Sequence, residues 1–205
     1  MLTAFTAGLL LITISELGDK TFCIAMLLAT RHPRRLVFIG VVTALAAMTI
    51  LSVLLGQAIA FLPQLYIWYA EIALFIGFGL KLLYDAYQMP AYAACEEMAE
   101  AKQTIEQARF GAMQLHPNVA IVGQAFLLTF VAEWGDRTQF ATMALAASKN
   151  PAGVALGAIL GHAICTAIAV LGGRLVAGRI SERVLTALGG VLFIIFGIVA
   201  AVQGQ

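Results

Sequence analysis

Long stretches without a charged side chain are the feature that most restricts how this chain can fold. One of them runs from Leu36 to Phe61. A helix of that length, rising about 1.5 Å per residue, crosses the roughly 30 Å hydrocarbon core of a bilayer. Only 11% of the residues are charged, against about 25% in a soluble domain. The runs are too long and continuous for barrel strands, which alternate over about 10 residues. We therefore predict an all-α polytopic membrane protein.

Six transmembrane helices are predicted from these runs and the breaks between them. The first run exceeds the thickness of a bilayer, so its helix is tilted or broken, and Gly18 in its polar centre is the expected break. The expected helices cover approximately Leu2–Thr30, Leu36–Phe61, Tyr66–Tyr87, Val119–Ala147, Ala152–Gly172 and Val184–Val202.

A short polar motif occurs twice, each time midway along an apolar run. Both copies read Glu-x-Gly-Asp-(Lys/Arg)-Thr; the first motif covers residues 16–21 and the second motif covers residues 133–138. A charged side chain at the centre of a membrane helix costs roughly 2.5–3.5 kcal/mol on insertion scales. One such cluster could be tolerated by accident, but two matching clusters indicate a single divided site.

The two halves of the chain align beyond the motif. An offset of 117 residues pairs Gly40 with Gly157, and an offset of 118 pairs Phe78-Gly79 with Phe196-Gly197. The chain is thus predicted to hold a first three-helix repeat (1–87), a linker (88–118) and a second repeat (119–205). Because three is an odd number, the second repeat is inverted relative to the first, a construction typical of secondary transporters.

Basic residues predict the orientation of the chain in the membrane. One side receives only Lys149, whereas the other receives eight basic residues: Arg31, Arg34, Arg35, Lys102, Arg109, Arg174, Arg179 and Arg183. The eight-residue side is expected to be cytoplasmic, which places the linker in the cytoplasm and both termini outside. The linker is expected to hold a polar helix of about four turns, and a solvated connector is favoured over a regulatory or gating element.

Paired acids in each motif indicate a metal site. Glu16 and Asp19 are three residues apart and share one helix face, as do Glu133 and Asp136. If inverted repeats bring the motifs together, four carboxylates converge on one cavity. Such hard oxygen ligands suit Ca²⁺, Mn²⁺ and Mg²⁺, and the absence of Cys or His from both motifs argues against a dedicated Zn²⁺ or Cu⁺ site.

Supporting roles are expected for the neighbouring residues. Glycine allows close backbone approach or an opened turn, hydroxyl and amide groups add neutral oxygens, and the two cations balance the acids; the residues concerned are Gly18, Gly135, Thr21, Thr138, Gln139, Lys20 and Arg137. The alternative is a structural network of i,i+4 ion pairs. We disfavour it because such a network needs no matched duplication of the acids.

His162 lies midway along the fifth predicted helix, where the first repeat has Leu45. Its imidazole titrates near neutral pH in water, so a proton relay is one interpretation. A hydrogen-bonded interior histidine is the other, and the sequence favours it.

The duplicated motif, six helices and an acidic central linker together resemble the GDT family of manganese/calcium transporters, which is grouped with cation/proton exchangers and includes bacterial manganese exporters and Golgi and chloroplast transporters. The resemblance covers essentially the whole chain. It implies exchange of Mn²⁺ or Ca²⁺ for protons, with Glu16, Asp19, Glu133 and Asp136 as the metal site. The chain lacks the long N-terminal extension of organellar members, so a bacterial inner membrane is expected.

Other functions stay open on the residues alone. A six-helix exporter of a small organic cation or amino acid and a passive divalent-cation channel are the alternatives. An enzyme is not expected, because neither Gly-x-Gly-Asp nor His-Glu-x-x-His is present. No cofactor is expected beyond the transported ion, and a net charge of +1 indicates no nucleic-acid partner. The sequence leaves the oligomeric state open.

Overall fold

The structure, a computed structural model, describes residues 1–89, 96–107, 117–176 and 182–203. Over these ranges the secondary structure is helical, which agrees with the predicted all-α class. The helices are α1 (Leu2–Glu16), α2 (Lys20–Arg31), α3 (Arg34–Ile59), α4 (Gln64–Gln88), α5 (Glu96–Gln107), α6 (Pro117–Ala132), α7 (Arg137–Ser148), α8 (Pro151–Val176) and α9 (Glu182–Gln203).

The break predicted at Gly18 is present. Helix α1 ends at Glu16 and α2 begins at Lys20. Gly18 has a φ of +82°, a left-handed conformation that costs other L-residues roughly 1–2 kcal/mol. The glycine therefore lets the chain turn in the middle of the first motif.

The prediction of a single helix over Val119–Ala147 is wrong, because the structure divides this range into α6 and α7. The two helices meet at a bend of 76°, and Gly135 has a φ of +83°. This run is as long as the first run and is interrupted by the same motif, so the signal used to predict the break at Gly18 was present here as well. The bend comes from the turn of the second motif, which repeats the backbone conformation of the first.

Four helices are long and apolar enough to cross a membrane within the described ranges: Arg34–Ile59, Gln64–Gln88, Pro151–Gly172 and Arg183–Gln203. The bent pair α6 and α7 gives a fifth span if it is counted as one. Helix α1 is apolar but has only 15 residues, about 22 Å at the usual rise. The protein is therefore a polytopic helical membrane protein with four to five candidate spans by this measure.

Small residues bring the broken helices close to α3 and α8. Gly157 of α8 lies against the backbone of Phe5 and Leu9 in α1. Gly40 of α3 lies in the same way against the backbone of Val122 and Phe126 in α6. Such close approach is possible only where side chains are small, so these glycines fix where the two breaks sit in the bundle.

Helices α4 and α9 form a separate, antiparallel pair. Gly79 contacts Ile194, and Gly197 contacts Ile76. The rings of Phe75 and Phe193 lie between them, with centroids 5.6 Å apart. Both rings are fully buried, and they hold this pair in the apolar cluster that also includes residues of α1, α7 and α8.

The linker helix α5 packs on the protein. Ala101 is completely buried in a cluster with residues of α2, α3, α6 and α8, and Ile105 packs against that cluster. The linker thus holds a polar helix, as expected, but one face of it is docked against α2 rather than solvated. This contact was not predicted, because two apolar side chains, Ala101 and Ile105, give only a weak periodic signal among acidic residues.

Candidate metal centre

The two helix breaks place the acids of the motifs at helix ends. Glu16 is the last residue of α1, and Asp19 occupies the N-cap position of α2, although its side chain makes no capping hydrogen bond. Glu133 follows the end of α6, and Asp136 caps the start of α7, where its side chain accepts a hydrogen bond from the Thr138 amide. A short polar residue is favoured at such positions because its oxygen satisfies amides that the helix leaves unbonded.

Three of the four predicted acids meet at one point. Glu16, Asp19 and Asp136 each offer a carboxylate oxygen, and these oxygens all lie within 4.8 Å of one another. Two of the acids come from the first motif and one from the second. Ligand distances of about 2.3–2.6 Å around Ca²⁺ place oxygens on opposite sides of the ion at most about 5 Å apart, so the cluster has the dimensions of a single hard-cation site.

Glu133 lies beside this cluster without belonging to it. Its side chain is buried, with 3% exposed, and Glu16 is the charged group that acts on it most strongly. The Thr138 Oγ1 lies 3.5 Å from its Oε2, a longer contact than the hydrogen bond that the same hydroxyl donates to Asp136. The fourth acid therefore contributes charge to the centre and stands next to its three clustered oxygens.

Threonine hydroxyls orient the carboxylates in both motifs. Thr21 donates from Oγ1 to Glu16 Oε2 at 3.1 Å. Thr138 donates from Oγ1 to Asp136 Oδ2 at 2.9 Å. Both threonines are buried, so they restrict the acids to a few rotamers and leave the other carboxylate oxygens available to a ligand.

A salt bridge connects the two motifs directly. Arg137 of the second motif approaches Asp19 of the first, with Nη2 and Oδ1 3.2 Å apart. Lys20 also acts on Asp19 electrostatically. The cation of one repeat thus balances an acid of the other, an arrangement that the i,i+4 pairing within each motif did not suggest.

One oxygen of Glu16 has the environment expected of a metal ligand. Glu16 is 2% exposed, and its Oε1 is buried with no hydrogen-bond partner in the described part of the chain. An unsatisfied buried polar atom is costly. A divalent cation bound by the three clustered acids would satisfy it.

Gln139 has a different place from the one expected of a metal ligand. Its Oε1 accepts a hydrogen bond from the backbone amide of Gly135 at 2.8 Å, and its Nε2 approaches Met48 Sδ at 3.3 Å. The side chain therefore fastens the turn of the second motif to α3.

A cavity of about 110 Å³ opens onto the centre. Its lining includes Asp19 and Arg137 at one end and Asp85 and Met89, at the end of α4, at the other. Asp85 belongs to α4 and lies outside both motifs in the sequence. Of the three clustered acids, Asp19 is the one that lines this cavity, which extends to the linker end of α4.

The sequence analysis assigned no role to two buried hydroxyl groups that lie next to the acids. Ser15 precedes Glu16 and lines the same cavity, and Thr129 lies one helical turn before Glu133. The side-chain oxygen of each is buried without a hydrogen-bond partner among the residues described. The sign in the sequence that could have identified them is their position, one residue or one helical turn from an acid, within otherwise apolar runs.

His162 lies close enough to the second motif for Asp136 to act on it electrostatically. The ring is buried, with 6% exposed. Within the described ranges its Nδ1 has no hydrogen-bond partner. The sequence favoured a hydrogen-bonded interior histidine, and this nitrogen atom does not fit that expectation.

Comparison with known proteins identifies the family of the chain. The family model described as "Divalent cation/proton antiporter GDT1" matches residues 4–90 and 121–205, which include both motifs. The chain belongs to the GDT1 family. The resemblance inferred from the duplicated motif is thereby confirmed, and so are the divalent cations and protons expected as substrates of that family.

GDT1 relatives match the chain over nearly its whole length. The GDT1-like protein sll0615 of Synechocystis is 62% identical over 200 residues, covering 98% of this chain and 97% of the relative. GDT1-like protein 3 of Oryza sativa subsp. indica is 43% identical and covers 95% and 72%. Protein PAM71-homolog, chloroplastic, of Arabidopsis thaliana is 40% identical and covers 95% and 58%. No solved structure gives a significant match.

Proposed function

We propose that this GDT1 member exchanges Mn²⁺ or Ca²⁺ for protons and exports the metal from the cytoplasm. The observation that carries the proposal is the set of three carboxylate oxygens, from Glu16, Asp19 and Asp136, within 4.8 Å of one another. These ligands are hard and anionic, which suits both ions. The cluster is also too small to surround an organic cation or an amino acid, so a metal is favoured over those substrates.

The charge of the two motifs supports a fixed exchange ratio. Together they hold four acids and two basic residues, a net charge of −2 when all are ionised. One divalent cation neutralises that charge, and so do two protons. Uncompensated charge is costly in a low-dielectric interior. The centre therefore changes between facing the cytoplasm and facing the outside with either one metal ion or two protons bound. A higher proton concentration outside then drives the metal out of the cytoplasm.

Six membrane-crossing segments in two inverted repeats fit this cycle best. The contacts in the structure support the arrangement, because they pair equivalent positions. Gly40 packs on Val122, as Gly157 packs on Phe5, and an offset of 117 relates each pair to the other. Gly79 packs on Ile194, as Gly197 packs on Ile76, with an offset of 118. In this arrangement α1 with α2, and α6 with α7, each form one broken span.

The proposed location is a bacterial inner membrane. The eight-to-one count of basic residues supports a topology with the linker in the cytoplasm and both termini outside. The cavity lined by Asp85 and Met89 then leads from the metal centre towards the cytoplasm.

His162 is the proposed proton relay of this cycle. Its Nδ1 has no hydrogen-bond partner in the part of the chain described, and Asp136 is the charged group that acts on it. A buried imidazole in this position can pass a proton between an acid of the centre and water.

Transport in proteoliposomes tests the proposal. Mn²⁺ and Ca²⁺ are supplied separately, with and without an imposed pH gradient, and at several clamped voltages. An exchanger of one metal for two protons moves metal against its gradient when protons flow the other way, and its flux direction does not depend on voltage. Metal flux that ignores the pH gradient would indicate a passive channel and would contradict the exchange.

A further inference from the structure

Two cavities lie at opposite ends of the α4–α9 pair. The linker-side cavity is the one that opens onto the metal centre, and its lining from this pair includes Leu82, Asp85, Leu185, Thr186 and Gly189. The far cavity, of about 450 Å³, lies near the start of α4 and the end of α9, and its lining includes Ala200, Gln203, Ile67, Trp68 and Glu71. An offset of 118 residues relates each of the first five residues to one of the second five.

The two cavities are therefore the same feature in the two repeats, and their differences are informative. Asp85 stands in the linker-side cavity where the far cavity has Gln203, and Glu71 stands in the far cavity where the linker-side cavity has Gly189. From this helix pair each cavity receives one carboxylate, and α4 supplies both; the linker-side cavity is also lined by Asp19 of the first motif. Helix α9 contributes an amide and a glycine at the equivalent places.

Packing alone does not account for Glu71. The residue is 4% exposed, and a buried carboxylate is costly unless it is compensated. The equivalent position in the other repeat is Gly189, where an added Cβ would meet only Leu82, at 3.8 Å. The helix pair can therefore close without an acid at this position.

The groups around Glu71 are suited to a cation. Ser148 donates from its hydroxyl to Glu71 Oε1 at 3.0 Å. Lys149 acts on Glu71 electrostatically, and its Nζ donates to Gln203 Oε1 at 3.3 Å. The hydroxyl thus contacts the carboxylate, the Gln203 amide lines the same cavity, and the charge of Lys149 acts on the carboxylate without a close ion pair. Oxygens of these three kinds are typical ligands of hard divalent cations.

We propose that Glu71 is the carboxylate of a transit site, in which the far cavity binds the divalent cation on the side of the protein opposite the linker. This inference rests on the proposed exchange function. Ser148 and Gln203 add neutral oxygens to the site. The ammonium of Lys149 balances Glu71 when no metal is bound and gives way when the metal arrives. Asp85 is the matching carboxylate on the linker side.

The two cavities differ in their connection to the metal centre. The linker-side cavity reaches Asp19 and Arg137. The described lining of the far cavity includes no residue of either motif and reaches α7 only at its far end, at Ala147 and Ser148. The structure thus has the geometry of a state open towards the linker, in which a metal at Glu71 is separated from the centre.

Sided transport measurements test the transit site. Mn²⁺ uptake is measured in right-side-out and everted membrane vesicles, which present opposite faces of the protein to the metal. Glu71→Gln is expected to raise the apparent KM for Mn²⁺ at the far face roughly tenfold, a change equivalent to about 1.4 kcal/mol. The KM at the linker face should stay unchanged. Asp85→Asn is the matched variant. It should raise the apparent KM for Mn²⁺ at the linker face and leave the KM at the far face unchanged.

The outcomes separate the transit site from the exchange function. An unchanged KM at the far face in Glu71→Gln, or an equal rise at both faces, would overturn the transit site while exchange by the wild type stands. If Glu71→Gln fails to fold, Ser148→Ala replaces it, with a smaller rise at the far face expected and no rise counting against the site. Wild-type vesicles without exchange would instead overturn the proposed function, and the transit site with it.

Discussion

Glu16 shows how single atoms in the centre point to a ligand. One of its oxygens accepts a hydrogen bond from Thr21, and the other is buried without a partner in the described ranges. Glu133 is the corresponding acid of the second motif and is equally buried. Both carboxylates hold the charge that the metal or the protons must neutralise, although only Glu16 belongs to the three-acid cluster.

Glu16→Gln and Glu133→Gln are each expected to abolish metal transport while the protein still folds. Each substitution keeps the size of the side chain but removes one negative charge and one proton acceptor. Metal flux in proteoliposomes measures the loss, and size-exclusion chromatography of the purified variants checks the fold. Lys81→Gln, which removes an exposed charge from α4, serves as the control and should transport normally. Near-normal flux in both glutamine variants would contradict the proposed role of these acids.

The breaks between α1 and α2, and between α6 and α7, are the elements that position the centre. Both use a glycine with positive φ, but the two turns have different surroundings. A Cβ at Gly18 would lie 2.6 Å from the Leu185 side chain, whereas a Cβ at Gly135 would meet nothing within 4 Å. The first turn is therefore packed against α9, and the second is open.

Gly135→Ala is expected to lower the free energy of unfolding by about 1–2 kcal/mol, the cost of a left-handed alanine. Gly18→Ala should cost more, because the same backbone strain is joined by the clash with Leu185. Thermal unfolding of the purified proteins compares the two. Leu185→Ala in the Gly18→Ala background should restore part of the difference, and equal stability of both single variants would contradict the packing described here.

Sequence reasoning reached some elements and missed others for physical reasons. The break at Gly18 was predicted because the first run is too long for a bilayer and is interrupted by charge. The break at Gly135 was not predicted, although the second run has the same length and the same interruption by charge; an opened turn at Gly135 was the most that was expected there. The salt bridge from Arg137 to Asp19 joins residues 118 positions apart, and the docking of Ala101 depends on tertiary packing. Neither leaves a local signal in the sequence.

At the scale of the whole molecule, equivalent surfaces of the two repeats lie at opposite ends of the protein. The α4–α9 pair has related cavities at its two ends, and the linker helix α5 docks near the end of the bundle that also receives most basic residues. In the proposed topology that end faces the cytoplasm.

Cys95, in the linker and outside the described residues, reports this topology. After Cys23 and Cys165 are replaced, an impermeant thiol reagent applied to intact cells should leave Cys95 unlabelled, because the linker is cytoplasmic. Labelling should appear once the cells are permeabilised, which serves as the control. Labelling of intact cells would reverse the orientation of the chain.

Metal binding to the purified protein tests the central claim, that two motifs form one site. Calorimetric titration with Mn²⁺ should give one tightly bound ion per wild-type chain, with the transit site at Glu71 being the weaker one. Asp19→Asn and Asp136→Asn, one in each motif, should each lower the affinity of that one site at least about tenfold, or about 1.4 kcal/mol. Two tightly bound ions per wild-type chain, with each variant losing one and retaining the other, would contradict a shared site.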